Sequence, residues 1–139
     1  VTHAIAAEGV KFAAPEIKRG IWPFMVMGGL FRVMPQRAAL DFVMRGNSIS
    51  TDKAEQWGLI NESVPAESLE QHVADLAKEL ASLAPGSMSM GLAAYVKQDA
   101  MDFDSALPYL RTQIDACLQS PDAVEGITAF LEKREPRWD

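Results

Sequence analysis

Few side chains in these 139 residues can shuttle protons, hold metal or attack carbon, and their spacing narrows the chemistry. Glu16 is the leading candidate. It follows Pro15, which pushes Ala14 into an extended conformation and fixes the backbone just ahead of the carboxylate. Apolar Ala14 and Ile17 flank it. A carboxylate kept short of water can take up and return a proton near neutral pH, the task of a general acid/base. A Pro-Glu pair is also at home in a solvated turn, so taken alone it leaves both readings open. His3 and His72 lie far apart, without HExxH or CxxC spacing, and no metal site is expected. Cys117 is the single cysteine, so no internal disulfide can form. It falls on an apolar helical stripe and reads as core packing. No GxSxG elbow, Walker loop or GxGxxG is present. Four of the seven methionines fall between Met25 and Met44. They read as a deformable apolar packing region, with a slot for a flexible acyl chain as the alternative.

Thirteen Lys plus Arg face nineteen Asp plus Glu, a net charge of −6. That balance argues against a nucleic-acid binder, whose affinity rests on clustered cations. Two local basic groups remain, Lys18-Arg19 and Lys133-Arg134 with Arg137. Either can meet a small phosphorylated ligand or lie on a solvated face. No apolar run approaches the roughly 20 residues of a membrane span, so no membrane partner is expected. The lone cysteine fits a reducing compartment, and the location is expected to be cytoplasmic.

The elements that must position these residues follow from periodicity and punctuation. Residues 2–7 form a short apolar strand, and 10–13 alternate like a second one. Pro23 sits at the first turn of a helix carrying Phe24, Met25, Met27, Leu30 and Phe31. Pro35 opens another, with Ala38, Ala39, Phe42 and Val43 on one stripe and Gly46 at its C-terminal side. Thr51 or Asp52 can cap a two-turn helix that ends at Gly58. Four helices follow, over 68–83, 87–100, 104–118 and from Pro121 onward. Two N-terminal strands cannot make an independent sheet, so they are expected to complete one whose other strands lie outside these residues. The start at Val1 fits the same expectation, a C-terminal part of a longer protein or a shortened relative.

The run from Ala6 to Gly20, AAEGVKFAAPEIKRG, resembles the middle of the enoyl-CoA hydratase/isomerase (crotonase) family, whose pattern is roughly AAE-x-A-x-F-x-x-PE-x-x-x-G. Arg45-Gly46-Asn47, the stretch 50–61 and Val64-Pro65 continue the likeness in order. The tail 122–136, DAVEGITAFLEKREP, is its most specific segment. Several separated matches across nearly the whole chain are far harder to meet by chance than any one.

The resemblance implies an α/β fold of crotonase-like type, a ββα spiral. Here it would be mostly the C-terminal helical part with two short N-terminal strands: residues 1–65 would end the spiral core and 66–139 form a helical oligomerisation region. Trimers or dimers of trimers are implied, as is an acyl-CoA thioester substrate with coenzyme A as part of the substrate and no separate cofactor. The family's chemistry is a thioester enolate held by two backbone N–H donors while a carboxylate moves a proton in fatty acid metabolism. Those donors and the first catalytic glutamate come from a segment before the AAE run, outside this sequence. Glu16 falls on the second glutamate and takes the general acid/base role. Many hydratases carry Gly after the Pro that follows it, with an N–H that helps hold water; here Pro23 is followed by Phe24. The N–H survives, but a bulky ring is expected beside Glu16, and residues 25–29 depart from the Gly-rich pattern. In the tail, Phe130 and Lys133 share a helical face and are expected at the adenine and phosphates of CoA, commonly that of a neighbouring subunit. Hydration is the first reading. The alternatives are a double-bond isomerase with Glu16 as sole base, or a noncatalytic shortened homologue serving assembly. A sheet cut in this way should expose a large apolar face.

Overall fold

The computed structural model describes residues 2–138, in two compact units, residues 1–75 and 76–139. In the first unit, β1 (Ile5–Ala7) and β2 (Lys11–Phe12) are the two expected strands. Each finds one partner within this chain, in a short strand that the sequence reading did not place. β1 runs parallel to a later strand, Glu62–Val64, with Ile5 opposite Glu62 and Ala7 opposite Val64. β2 pairs antiparallel with β3 (Ile49–Ser50), and Glu62–Val64 is therefore β4. Asn61 extends the parallel pair: its backbone N–H donates to Ala4 O, and its Oδ1 accepts from the Ala4 N–H, both at 2.7 Å.

Three helices cover these strands. α1 (Phe24–Val33) starts at Pro23, α2 (Gln36–Arg45) at Pro35, and α3 (Thr51–Gln56) follows β3 directly. The expected stripe of α2 is the buried one, with Ala39, Phe42 and Val43 inside. They join Ala14, Leu30 and Met34 in the core, with Phe12, Trp22, Phe31 and Trp57 packed around it. The cap of α3 is Ser50, not Thr51 or Asp52: its hydroxyl accepts the Lys53 N–H at 3.3 Å. Thr51 is buried instead.

α4 (Leu69–Ala81) spans the division between the units. In the first unit, His72 on it meets the Glu62 carboxylate at 2.8 Å. The second unit consists of α5 (Pro85–Gln98), α6 (Phe103–Leu118) and α7 (Pro121–Glu132). Asp102 caps α6 and Ser120 caps α7 through backbone N–H groups three residues on. α5 begins at Ala84, which has no side-chain cap, and Asp122 of α7 supplies one. Its Oδ2 accepts the Ser87 N–H at 2.9 Å, and a Cβ at Gly86 would stand 3.0 Å from that oxygen. A side chain at residue 86 would press on that carboxylate, which would have to give by a few tenths of an ångström.

Candidate active site

Glu16 is the second residue of a short 3₁₀ turn, Pro15–Arg19. The turn was not visible as an element in the sequence, but its ends were. Ala14, at φ −121°, ψ 77° and 2% exposed, anchors one end in the core. Gly20, at φ 75°, closes the other: its N–H reaches Ile17 O, and the Ile21 N–H reaches Glu16 O, both at 3.1 Å. The turn is seated on the C-terminal end of α2. There Gly46 adopts φ 60°, and a Cβ on it would lie 2.9 Å from Ile17 Cγ2 and 3.2 Å from Ala14 O. Lys18 Nζ adds a hydrogen bond to Asn47 Oδ1 at 2.8 Å. The backbone under Glu16 is thus clamped from both sides.

The carboxylate is held differently. Glu16 Oε2 is out of solvent and has no hydrogen-bond partner among the described residues. Leaving a charged acceptor unpaired costs at least about 1–3 kcal/mol, which folding gives no reason to retain. The solvated-turn reading of Glu16 does not fit this placement.

Pro23 and Phe24 differ from expectation in two respects. Pro23 is buried, while the Phe24 ring is 69% exposed, so the ring is not packed down as a wall within this chain. The Phe24 N–H, expected to be free for water, donates to Trp22 O at 2.9 Å. With Pro23 at φ −80°, ψ 62°, residues 22–24 form an inverse γ-turn that occupies this donor.

The tail of the second unit is a separate site. Phe130 is 80% exposed on α7. Lys133 does not share its helical face, because α7 ends at Glu132 and Lys133 is the left-handed C-cap, at φ 56°. Lys133 N–H reaches Phe130 O and Arg134 N–H reaches Ala129 O, the double bond of a Schellman turn. Arg134 then turns back onto α7 and binds Glu125 with both terminal nitrogens, Nη1 at 2.6 Å and Nη2 at 3.0 Å. Glu125 also accepts the Arg137 N–H at 2.8 Å. The Arg134 guanidinium, then the Arg137 N–H, hold the Glu125 carboxyl down at about 2. Glu125, then Glu132, push Arg134 upward. Sequence reading of the tail singled out Phe130 and Lys133 and passed over Glu125, whose nine-residue offset from Arg134 matches no local pairing rule.

Cys117 is half-buried rather than a core residue, and it lines a cavity of about 190 Å³ with Ser87, Met90, Ala94 and Ile114. Its Sγ lies 3.6 Å from Ser87 Oγ. No group of three or more potential metal ligands occurs among the described residues, and no helix there is long and apolar enough to cross a membrane.

Comparison with known proteins bears on both sites. A family model described as Enoyl-CoA hydratase/isomerase matches residues 3–139. Enoyl-CoA hydratase domain-containing protein 3, mitochondrial, from Rattus norvegicus is 33% identical over 135 residues, 97% of this chain and 45% of the relative. Carnitinyl-CoA dehydratase from Escherichia coli (strain K12) is 32% identical over 141 residues, 96% of this chain and 53% of the relative. Among solved structures, human enoyl coenzyme A hydratase domain-containing protein 3 superposes with a TM-score of 0.89 at 32% identity, covering 99% of this chain and 54% of that one. An enoyl-CoA hydratase from Mycobacterium smegmatis gives 0.92 at 28% identity, covering 99% and 53%. The chain therefore spans about half the length of the relatives it matches.

Proposed function

This chain belongs to the enoyl-CoA hydratase/isomerase family and has its crotonase-like α/β fold, and from that premise we propose that it serves the addition of water to a 2-enoyl-CoA, with Glu16 as general acid/base. The observation that carries this reading is the buried, unbonded Oε2 of Glu16 on an otherwise clamped turn. A carboxylate stripped of partners is poised to exchange a proton with whatever enters beside it. In hydration, water gives hydroxide to Cβ and a proton reaches Cα. Glu16 handles that proton, while the thioester oxygen, negative in the enolate, is held by N–H donors outside these 139 residues. Loss of one such donor typically costs on the order of 10²–10³ in rate. Pro23 and Phe24 border the acyl end, and Phe130 and Lys133 meet the adenine and phosphates of CoA, the lysine as a point charge. The protein is further proposed to work as a homo-oligomer.

Double-bond isomerisation is the second reading, favoured by one observation. The Phe24 N–H is already bonded to Trp22 O and is not free to hold water. In that reaction Glu16 alone takes a proton from one carbon of the acyl chain and returns it to another.

Glu16→Gln in the full-length protein tests both readings. Turnover of an enoyl-CoA should fall by about 10²–10⁴. Thermal stability should hold, because Oε2 has no hydrogen bond to lose. Unchanged turnover would end the assignment of Glu16. Product analysis separates the two reactions, since 3-hydroxyacyl-CoA marks hydration and a shifted alkene marks isomerisation.

A further inference from the structure

We propose that Glu125 and Arg134 are a positioning pair: they lock the C-terminal turn of α7 so that Lys133 is presented, unpaired, beside exposed Phe130 to the phosphates of CoA. The inference rests on the proposed function for the identity of the ligand, and on geometry for the device. Lys133 is the single non-glycine residue with positive φ among those described. That backbone brings the lysine Cβ too close to the following carbonyl oxygen, and Schellman turns ordinarily place glycine there. Strain of this kind persists only where the surroundings over-determine it.

The surroundings do so here. Glu125, two turns back on α7, takes both Arg134 nitrogens and the Arg137 N–H, so one carboxylate fixes the chain on the far side of Lys133 at two points. Arg134 Nε is fixed by Glu132 at 2.7 Å. Trp138 packs close over Gly126, where a Cβ would stand 3.3 Å from its ring. Glu125 and Glu132, the acids at the end of α7, are thereby both paired with Arg134, yet the Lys133 ammonium has no hydrogen bond or ion pair among the described residues. With both Glu125 and Glu132 occupied by Arg134, neither acid is left to neutralise Lys133. The pair thus fixes where the lysine stands and leaves its ammonium open to an anionic ligand.

The test compares two substrates of the full-length protein: an enoyl-CoA, and the matching enoyl-pantetheine thioester, which lacks adenine and its phosphates. Glu125→Gln and Arg134→Lys should each raise KM for the CoA thioester roughly fivefold, as when the competent arrangement falls to about a fifth of the population. Values of kcat, and KM for the pantetheine thioester, should stay at parental levels. Lys133→Ala, which leaves the pair intact, should weaken CoA selectively in the same sense. If Lys133→Ala is selective but neither pair variant is, the positioning role is overturned and the reading of Lys133 stands. If Lys133→Ala shows no selectivity, the ligand reading falls and takes the inference with it. An equal loss with both thioesters, or unfolding of both pair variants, marks a purely structural pair and also overturns the proposal.

Discussion

Glu16 and Glu125 are carboxylates in opposite circumstances, and the contrast assigns their work. Glu16 has an oxygen with nothing to bond, while Glu125 has Arg134 on both oxygens and a backbone N–H besides. On the proposed reading the first is open to a substrate proton, whereas Arg134 keeps the second from accepting one. Because Arg134 favours the charged form, the folded-state value of Glu125, about 2, lies below its ordinary 4.5. The stabilisation it provides is therefore complete above pH 4.5 and lost as the pH falls toward 2. An NMR titration of the carboxyl groups should place the Glu125 midpoint near 2 in the parent and return it toward 4.5 in Arg134→Gln. A parental midpoint at the ordinary value would show that the pair does not form in solution. At this scale Glu16 was legible, since Pro15 and its apolar neighbours mark the position, although the burial of one oxygen depends on packing that no local pattern encodes. Lys133 was misread for a physical reason: lysine is a good helix former, so with no glycine to mark the left-handed turn the periodicity of α7 reads one residue too far.

The 3₁₀ turn bearing Glu16 depends on α2 more than on its own sequence, and Gly46 is where that dependence concentrates. Gly46→Ala adds a methyl 2.9 Å from Ile17 Cγ2 at a residue with φ 60°. The backbone strain costs roughly 1–2 kcal/mol, and the overpacking about 1–3 kcal/mol more. Denaturation should show a loss near the sum, about 2–5 kcal/mol, with turnover reduced because the turn must move off α2. A variant of parental stability would mean that the turn is not seated as described. α1, α2 and α7 were readable because each carries whole turns of apolar spacing opened by Pro23, Pro35 or Pro121. β3 and β4 were not, since strands of two and three residues are too short to show a period of two. Their pairing joins residues far apart in the chain, a tertiary fact. The cap of α3 was ambiguous because Ser50, Thr51 and Asp52 are all good capping residues, and the choice among them fell to burial of Thr51.

Across the whole molecule the apolar side chains and the net charge pull in opposite directions. In the second unit the buried apolar residues are Ala94, Ala106 and Ala129, whereas Val96, Phe103 and Leu131 stand mostly in solvent. In the first unit Ile21, Met44 and, at 90%, Met25 do the same. Covering each such large side chain is worth about 1.5–3 kcal/mol, and alanine contacts alone give three helices little to hold them. Isolated exposed apolar residues are ordinary, but groups of them on several elements of one chain mark surfaces meant to be covered. The charge of −6 resists the simplest covering, by a second copy, through like-charge repulsion that salt screens within about 10 Å at 0.1 M. The 139-residue chain is therefore expected to scatter light as a species heavier than its 15.2 kDa, to bind a dye that reports apolar surface, and to associate further as salt rises. Association driven by ion pairs between copies would weaken with salt instead, so the sign of the salt effect identifies the force. A monomer that ignores the dye at every salt concentration would mean that these side chains find cover within the chain, against the exposure described.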